Sequence, residues 1–590
     1  MSIPRGPLLL ALGVTLFFDL LRVFLPSLIT LFGRAGETPP ELMGLYAAVW
    51  FVLPFLAVLL RPRWALLGGA VLLVVARLLL QAGVGQLYVA SAGVTAALVF
   101  LYGCARTMPR AWVAPGIMGG LALSFVVHFL LDGVDLVWRD GPLPWLAGVA
   151  VCAAFLALTW LYRPAPGEPA PWSVWLLAGP VMLLAGMSAT GQRPSGSPEL
   201  EWLFTAPVVM ALVFAPYQAT RPPRSAWSAI GFAALLLAGF LHPVFLVIGA
   251  SALLAVPGRT ARRPGAAMLS GGLIFFAGLF LYYAAYDLNL GFPNVLVPAV
   301  VAVTIAGVSL SGYFRNPPPR YDLGAIWPVF AVAAAVALLV SATTFQTAPA
   351  ASAKQGGTLR LIAYNIRMGF GLDGRLSLDR IAAWAAAQRP DVVLLSEVDR
   401  GWLLNGGHDD LSRIARPLGM RYYFAPAADP LWGDAILTNL PTKSLNSTPL
   451  GRHDYPTGAQ AQTMVVEVGG RELAIVNTHL QAPAGQAPEV AELAELAGKL
   501  IAQGRPVVLA GDLNLRPGDP GMRVLEQAGL SDPLIAKGDP PTSPADAPKE
   551  RIDHVLTSAN VILDAVAVPS LDYSDHLPVV ADLRITDASR

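Results

Sequence analysis

A run of about 20 apolar residues is long enough to cross a bilayer as a helix, and the first 345 residues of this 590-residue chain consist almost wholly of such runs. Candidate spans fall at 7–33, 41–60, 64–82, 84–105, 112–133, 144–162, 172–192, 202–219, 225–240, 243–257, 267–286, 293–313 and 324–345. The first is too long for the apolar core of a signal peptide and has no small-residue cleavage site, so it reads as a retained helix. Charged residues make up only 13% of the chain, against about a quarter in ordinary soluble domains. The deficit lies in residues 1–345, whereas 358–590 have the composition of a soluble domain. The expectation is a polytopic helical membrane domain over 1–345, a short flexible linker at 346–357, and a separate domain over 358–590.

Loop charges set the orientation. Arg5, Arg61 and Arg63, Arg106 and Arg110, Arg163, Arg221 and Arg224, Arg259 to Arg263, and Arg315 and Arg320 mark one set of loops. Glu37, Glu41, Asp132, Asp135, Asp140, Glu199 and Asp287 mark the other. The alternation is unbroken only if His242-Pro243 is the tip of a hairpin between two helices. The positive-inside rule then gives about 13 spans, a cytoplasmic N-terminus and an extracytoplasmic C-terminal domain. Ionisable groups inside the spans can mark an ion or lipid pathway, but Asp19/Arg22 and His128/Asp132 have the i,i+3 and i,i+4 spacings of local pairs on one helix face. The two cysteines, Cys104 and Cys152, both lie in apolar segments, so the C-terminal half has no disulfide and no thiolate metal site.

From Thr358 the pattern turns to short apolar strands: 358–366, 391–397, 420–425, 434–438, 461–468, 472–478, 506–512, 552–557, 561–568 and 578–584. Helices fit 377–388 (with Ser377 as N-cap), 409–416, 488–503 and 519–528. Many strands with few helices suggest two packed sheets flanked by helices. Polar residues recur at the strand ends: Asn365, Glu397, Asn477-Thr478-His479-Leu480, Gly511-Asp512-Leu513-Asn514, Ile552-Asp553-His554 and Ser574-Asp575-His576. Strand ends at one edge of a sheet converge, which would gather carboxylates, imidazoles and amides in one cleft. Oxygen donors such as Glu397, Asp575 and Asn365 suit Mg²⁺ or Mn²⁺. Such an ion polarises a phosphoryl oxygen, a carboxylate can activate water, and a histidine can donate to phosphate. Neither a Gly-x-Ser-x-Gly motif nor a cysteine nucleophile is present, which favours direct attack by water.

In this order the six elements resemble the endonuclease/exonuclease/phosphatase superfamily, which includes the deoxyribonuclease I-like nucleases, over about residues 358–584. The resemblance implies a four-layer α/β sandwich and metal-dependent hydrolysis of a phosphate ester. It implies Glu397 as principal metal ligand with Asn365 and Asp575 beside it. Asp512 would orient or deprotonate the attacking water, and Asn514 would hold that water or a phosphate oxygen. His576 would contact the phosphate, oriented by Asp553, and His479 would serve the phosphate or leaving-group side, with Asp434 a candidate partner. A many-spanning half followed by such a domain is also similar to the proteins that remodel the lipid of glycosylphosphatidylinositol anchors, and points to a lipid-linked substrate.

The leading expectation is a membrane-anchored phosphodiesterase acting on a lipid or lipid-linked phosphate ester. A net charge of +1 and the lack of a basic stripe give little electrostatic basis for nucleic-acid binding. An extracytoplasmic nuclease is therefore the second expectation. A transporter or scaffold with an idle catalytic domain is the third.

Overall fold

The structure, a computed structural model, describes residues 5–33, 38–164, 169–188, 198–256, 263–288, 290–315, 347–427, 429–453, 458–481 and 487–586. The helical half comprises α1 (Arg5–Ser27), α2 (Pro40–Val52), α3 (Pro62–Gln81), α4 (Gln86–Thr107), α5 (Arg110–Leu130), α6 (Pro142–Leu161), α7 (Trp172–Ser188), α8 (Pro198–Gln218), α9 (Ala226–Leu237), α10 (Pro243–Leu254), α11 (Pro264–Asp287) and α12 (Leu296–Arg315). Proline opens α2, α3, α6, α10 and α11, where its missing N–H costs nothing and its fixed φ suits the first turn. Glycines allow close helix packing. A Cβ on Gly69 would lie 2.5 Å from the Phe100 nitrogen, and one on Gly103 would lie 2.5 Å from the Leu66 nitrogen, so α3 and α4 touch backbone to backbone.

Among the described residues, eight helices are long and apolar enough to cross a bilayer. Three apolar helical stretches are shorter: Trp172–Met187, Ala226–Phe240 and Pro243–Leu254. The expected count of 13 spans is therefore not reached on these residues, and the span at 324–345 lies outside them. The His242-Pro243 question is answered in favour of a turn, because α9 and α10 fold back on one another. A Cβ on Gly249 would lie 2.5 Å from the Leu236 nitrogen, a contact that one kinked helix could not make.

The second half contains two six-stranded sheets. One has the order β11-β12-β1-β2-β4-β3, formed by β1 (Thr358–Asn365), β2 (Val392–Asp399), β3 (Tyr422–Ala427), β4 (Asp429–Thr438), β11 (Val561–Ala567) and β12 (Val579–Ile585). The other has the order β5-β6-β7-β8-β10-β9, formed by β5 (Thr442–Pro449), β6 (Gln460–Val468), β7 (Arg471–Thr478), β8 (Val507–Asp512), β9 (Leu530–Ser531) and β10 (Asp553–Ser558). Leu361, Ala363, Leu394, Ile475, Val508 and Val555 pack between the sheets. Helices α13 (Leu378–Gln388) and α14 (Asp410–Leu418) cover the first sheet, and α15 (Ala487–Ala502) and α16 (Pro520–Gln527) the second. The expected two-sheet α/β architecture is present. The sequence missed β5 and β9. Ser377 does not cap α13: its hydroxyl donates to the Arg375 carbonyl and accepts from Arg380.

The two halves share one continuous apolar core. The segment after β2, residues 399–410, is sunk into the end of the helical bundle. Arg400 Nη2 donates to Glu201 Oε1 at 2.7 Å and to Asp409 Oδ2 at 3.2 Å. His408 Nδ1 lies 2.9 Å from the Gly133 carbonyl, and His128 Nε2 lies 2.8 Å from the Gly407 carbonyl. Trp402 stacks on Trp432 and meets Tyr283 and Tyr286 edge-on. Asp429 accepts from Tyr282 and Asn294. The expected local pairs inside the helices are absent. Asp19 pairs with Arg77, Arg22 and His128 share Asp135, and Asp132 holds Arg413 and Arg416 of the other half. For Arg22 and Arg77, at most 2% exposed, the partners on other elements set a fixed counter-charge against a buried guanidinium. The expected flexible linker is also held in place over its described residues. Ser352 N donates to the Asn439 carbonyl, Arg421 to the Pro349 carbonyl, and Lys354 pairs with Asp391.

Candidate active site

Topology delivers the strand ends to one place. β1 and β2 are parallel, as are β7 and β8, so Asn365, Glu397, Thr478 and Asp512 all finish at the same edge. β10 runs antiparallel to β8 and begins at that edge, with Asp553 directly opposite Asp512. β12 is antiparallel to β1, which brings the preceding loop, with Asp575 and His576, over Asn365. A register shift between Leu395 and Val398 re-aims Glu397, whose φ is 56°. An acidic residue held in the left-handed region is strained, and such strain persists only where the surroundings over-determine it. Gly511 has φ 133°, and a Cβ there would lie 2.1 Å from the Thr478 carbonyl oxygen, so only glycine fits immediately before Asp512.

Asn365 is the hub. Its Nδ2 donates to Glu397 Oε1 at 3.1 Å and to Asp512 Oδ2 at 3.0 Å, while its Oδ1 accepts from the Arg367 backbone at 3.1 Å. Asn365 therefore braces the two carboxylates through its amide nitrogen. His576 Nδ1 lies 2.9 Å from Asp553 Oδ2, and its Nε2 lies 3.7 Å from Asp512 Oδ2. His479 Nε2 lies 3.6 Å from the same Asp512 oxygen and 3.3 Å from Asn514 Nδ2. Ser574 Oγ donates to the Asn365 carbonyl at 2.8 Å and pins the loop that carries Asp575 and His576 to β1. Asp434 takes a hydrogen bond from Gln460 at 2.6 Å rather than pairing directly with His479.

The electrostatics follow from burial. Burial raises Glu397 and Asp512 above the usual carboxylate range, and pushes Asp434 up to about 7. Burial works against charge on His576 as well, but Asp553 and Asp512 outweigh it and hold the imidazole well above its usual range. His479 is raised for the same reason, by Asp512 and then Glu397. The centre carries more buried carboxylate than its imidazoles neutralise, so a divalent cation fits the donor set. Two sets of residues compete for that role. Asp512, Asp553 and His576 have ligand atoms within 4.8 Å of one another, but the Asp553 hydrogen bond occupies His576 Nδ1. Glu397 and Asp575 are the other hard oxygen donors, Glu397 accepting from Asn365 through Oε1 and Asp575 accepting from Ser574 through Oδ1. Arg367, which the sequence did not single out, is buried and lies 3.2 Å from Asp575 Oδ2. It follows Asn365 by two residues, with no motif to mark it.

Every residue expected at the site thus lies along this edge. Residues 362–576 match the Endonuclease/Exonuclease/phosphatase family. No curated protein matches the chain. Among solved structures, an endonuclease/exonuclease/phosphatase from Beutenbergia cavernae DSM 12333 is 26% identical over 40% of this chain and 74% of that one, with a TM-score of 0.35. A Bacteroides vulgatus endonuclease/exonuclease/phosphatase is 16% identical over 39% and 99%, with a TM-score of 0.33. Truncated Caenorhabditis elegans TDP2 is 22% identical over 39% and 98%, with a TM-score of 0.30.

Proposed function

From a phosphoesterase-type domain at residues 362–576, we propose a membrane-embedded hydrolase that cleaves the phosphate ester of a lipid or lipid-linked head group by direct attack of water. The observation that carries this reading is the docking of the 399–410 segment. It begins two residues after Glu397 and ends buried in the helical bundle; with that bundle in a bilayer, the catalytic edge would stand beside the surface from which lipids present their head groups. A glycosylphosphatidylinositol-type lipid is one candidate within this class.

Glu397 and Asp575 would hold Mg²⁺ or Mn²⁺, which when bound supplies Lewis-acid stabilisation of phosphoryl charge. Asp512 orients the attacking water and accepts its proton, a role that its raised pKa suits. His576, kept protonated by Asp553, donates to a phosphoryl oxygen. His479 serves the leaving-group side, and Asn514, in contact with it, holds the attacking water or a phosphate oxygen.

Loop charge supports an extracytoplasmic site. The catalytic domain meets the bundle at Gln86, His128, Gly133, Glu201, Tyr282 and Asn294. These lie at one set of helix ends. Arg61, Arg106, Arg163, Arg221, Arg263 and Arg315 lie at the other ends, and basic loops face the cytoplasm.

The test is a screen of the full-length protein against phospholipids, inositol glycolipids and single-stranded DNA with Mg²⁺ and Mn²⁺, beside His576→Ala. Lipid phosphoester turnover that is absent in His576→Ala supports the reading. Efficient DNA cleavage with no lipid turnover overturns it in favour of a nuclease.

A further inference from the structure

A cleft of about 930 Å³ lies between the halves, apart from the catalytic edge. Its helical wall is the loop from α5 to α6 and the first turns of α6, and its other wall is residues 373–380 with Arg413. Four arginines line it, and two of them are committed. Arg413 makes a two-pronged pair with Asp379 at 2.6 and 2.8 Å. Arg380 reaches Asp572 at 3.4 Å and lies over the Tyr573 ring. The other two have no carboxylate within ion-pair distance among the described residues. Arg139 donates only to the backbone carbonyls of Val134 and Leu131. Arg375 passes so close to the α3–α4 loop that a Cβ on Gly83 would lie 3.0 Å from its Nη1. Asp140, Asp373 and Asp379 line the cleft as well, and Asp132 and Asp379 act on Arg139 from beyond ion-pair distance, so four arginines against three carboxylates leave one net positive charge. The half-buried guanidiniums of Arg139 and Arg375, on opposite walls, are the groups left to meet an anion such as phosphate.

The α6 side of the cleft has the opposite chemistry. Leu143 lines it and is 76% exposed, and beyond the cleft Leu146 and Val149 of the same helix are 66% and 46% exposed. α6 is long and apolar enough to span a bilayer, and only 28% of its most apolar stretch is buried. The cleft therefore continues onto a helix face with the composition of a lipid-facing surface. Arg139 stands three residues before that helix begins, at the depth where head groups lie. Free phosphate would use the arginines and leave the apolar wall bare. A fatty chain alone would do the reverse.

We propose that this cleft binds one phospholipid, its phosphate between Arg139 and Arg375 and its acyl chains along α6. The site adjoins the catalytic loop. Leu372 N donates to the Asp572 carbonyl at 3.0 Å, and Asp575 and His576 follow Asp572 by three and four residues. A lipid held here is presented beside the catalytic loop. The inference rests on the proposed membrane setting of the helical half and deepens the lipid reading of the catalytic site. It does not require that the bound lipid be hydrolysed.

The experiment is native mass spectrometry of the full-length protein in detergent, titrated with phosphatidylglycerol, with diacylglycerol of the same chains, or with inorganic phosphate. The same preparations are assayed on a water-soluble phosphodiester. One phosphatidylglycerol is expected to bind. Binding should weaken tenfold or more in Arg139→Gln/Arg375→Gln and again in Leu143→Asn/Leu146→Asn, while the soluble diester is still hydrolysed. Neither diacylglycerol nor millimolar phosphate should displace the lipid. Unchanged phosphatidylglycerol binding in the arginine variant overturns the site, as does equal competition by diacylglycerol or by phosphate. Lipid binding as expected, with no hydrolysis of any ester by the wild type, defeats the hydrolase reading and leaves the site standing.

Discussion

Removing the Arg400 side chain tests how the two halves are joined. Its guanidinium side chain is 2% exposed and meets two carboxylates, Glu201 from the helical half and Asp409 from its own. The rings of Tyr422 and Phe424 lie 5.5 and 5.7 Å from it. Burial opposes its charge, but Asp409 and Glu201 outweigh burial and keep it fully protonated. In Arg400→Ala the two buried carboxylates lose their shared counter-charge, and breaking a buried pair from one side costs about 3–5 kcal/mol. For a unit of this size about 1 kcal/mol moves the melting temperature by roughly 2–4 °C, so a fall of about 6 °C or more is expected in detergent. The first event should be separation of the halves, seen as faster proteolysis around residues 399–410. Adding Glu201→Gln removes one stranded charge and should recover part of the loss. Arg584→Ala breaks an exposed pair with Asp564 and serves as the control, expected to cost at most about 1 kcal/mol. Arg400→Ala melting together with Arg584→Ala would show that the interface does not depend on this pair, and would refute the reasoning.

Asp553→Asn should preserve the fold but lower turnover by about 10²–10⁴-fold, the usual contribution of a positioned acid or base. Its alkaline activity limb should move to lower pH, because Asp553 is the largest influence raising His576. Chelation should abolish turnover, and Mg²⁺ at about 100 times its dissociation constant should stabilise the fold by about 2.7 kcal/mol. Glu397→Gln should remove that thermal shift. Burial, and then His128, push His408 down to about 4. Its contribution is therefore intact above pH 6.5 and declines as pH falls from 6.5 towards 4, by about 3 kcal/mol in all. A flatter acid limb of melting temperature against pH in His408→Gln would bear this out, and an unchanged limb would not. Gly511→Ala should cost about 1–3 kcal/mol for strain alone, with a further penalty for the Thr478 clash, and a wild-type melting curve would contradict it.

The convergence of the candidate site residues was readable because they sit at the ends of strongly apolar strands, where a polar residue breaks the pattern. The register of β8 against β10 then needs only backbone pairing to bring Asp512 to Asp553. β5 was missed because nearly all of it is exposed, Thr-Lys-Ser-Leu-Asn-Ser-Thr-Pro, and backbone pairing with β6 alone makes it a strand. The interface was illegible for a different reason. Asp399, Arg400, His408, Asp409 and Asp410 look like a solvated loop, yet each is at most 2% exposed. Their burial depends on partners about 120 to 280 residues away, such as Tyr283 and Gly133. No local pattern encodes that distance. The same limit explains why Asp19/Arg22 suggested a local pair while Arg77 and Asp135 were the true partners.

The shared core also bears on how the enzyme can be handled. Excising residues 358–590 would leave Trp402, Leu403, Arg400 and His408 facing water, with their neighbours Tyr283, Gly186, Glu201 and Gly133 gone. The strand carrying Glu397 runs straight into that wound. A truncated enzyme, even one that stays in solution, would have lost the support that fixes its principal carboxylate, and its rate would describe the damage as much as the chemistry.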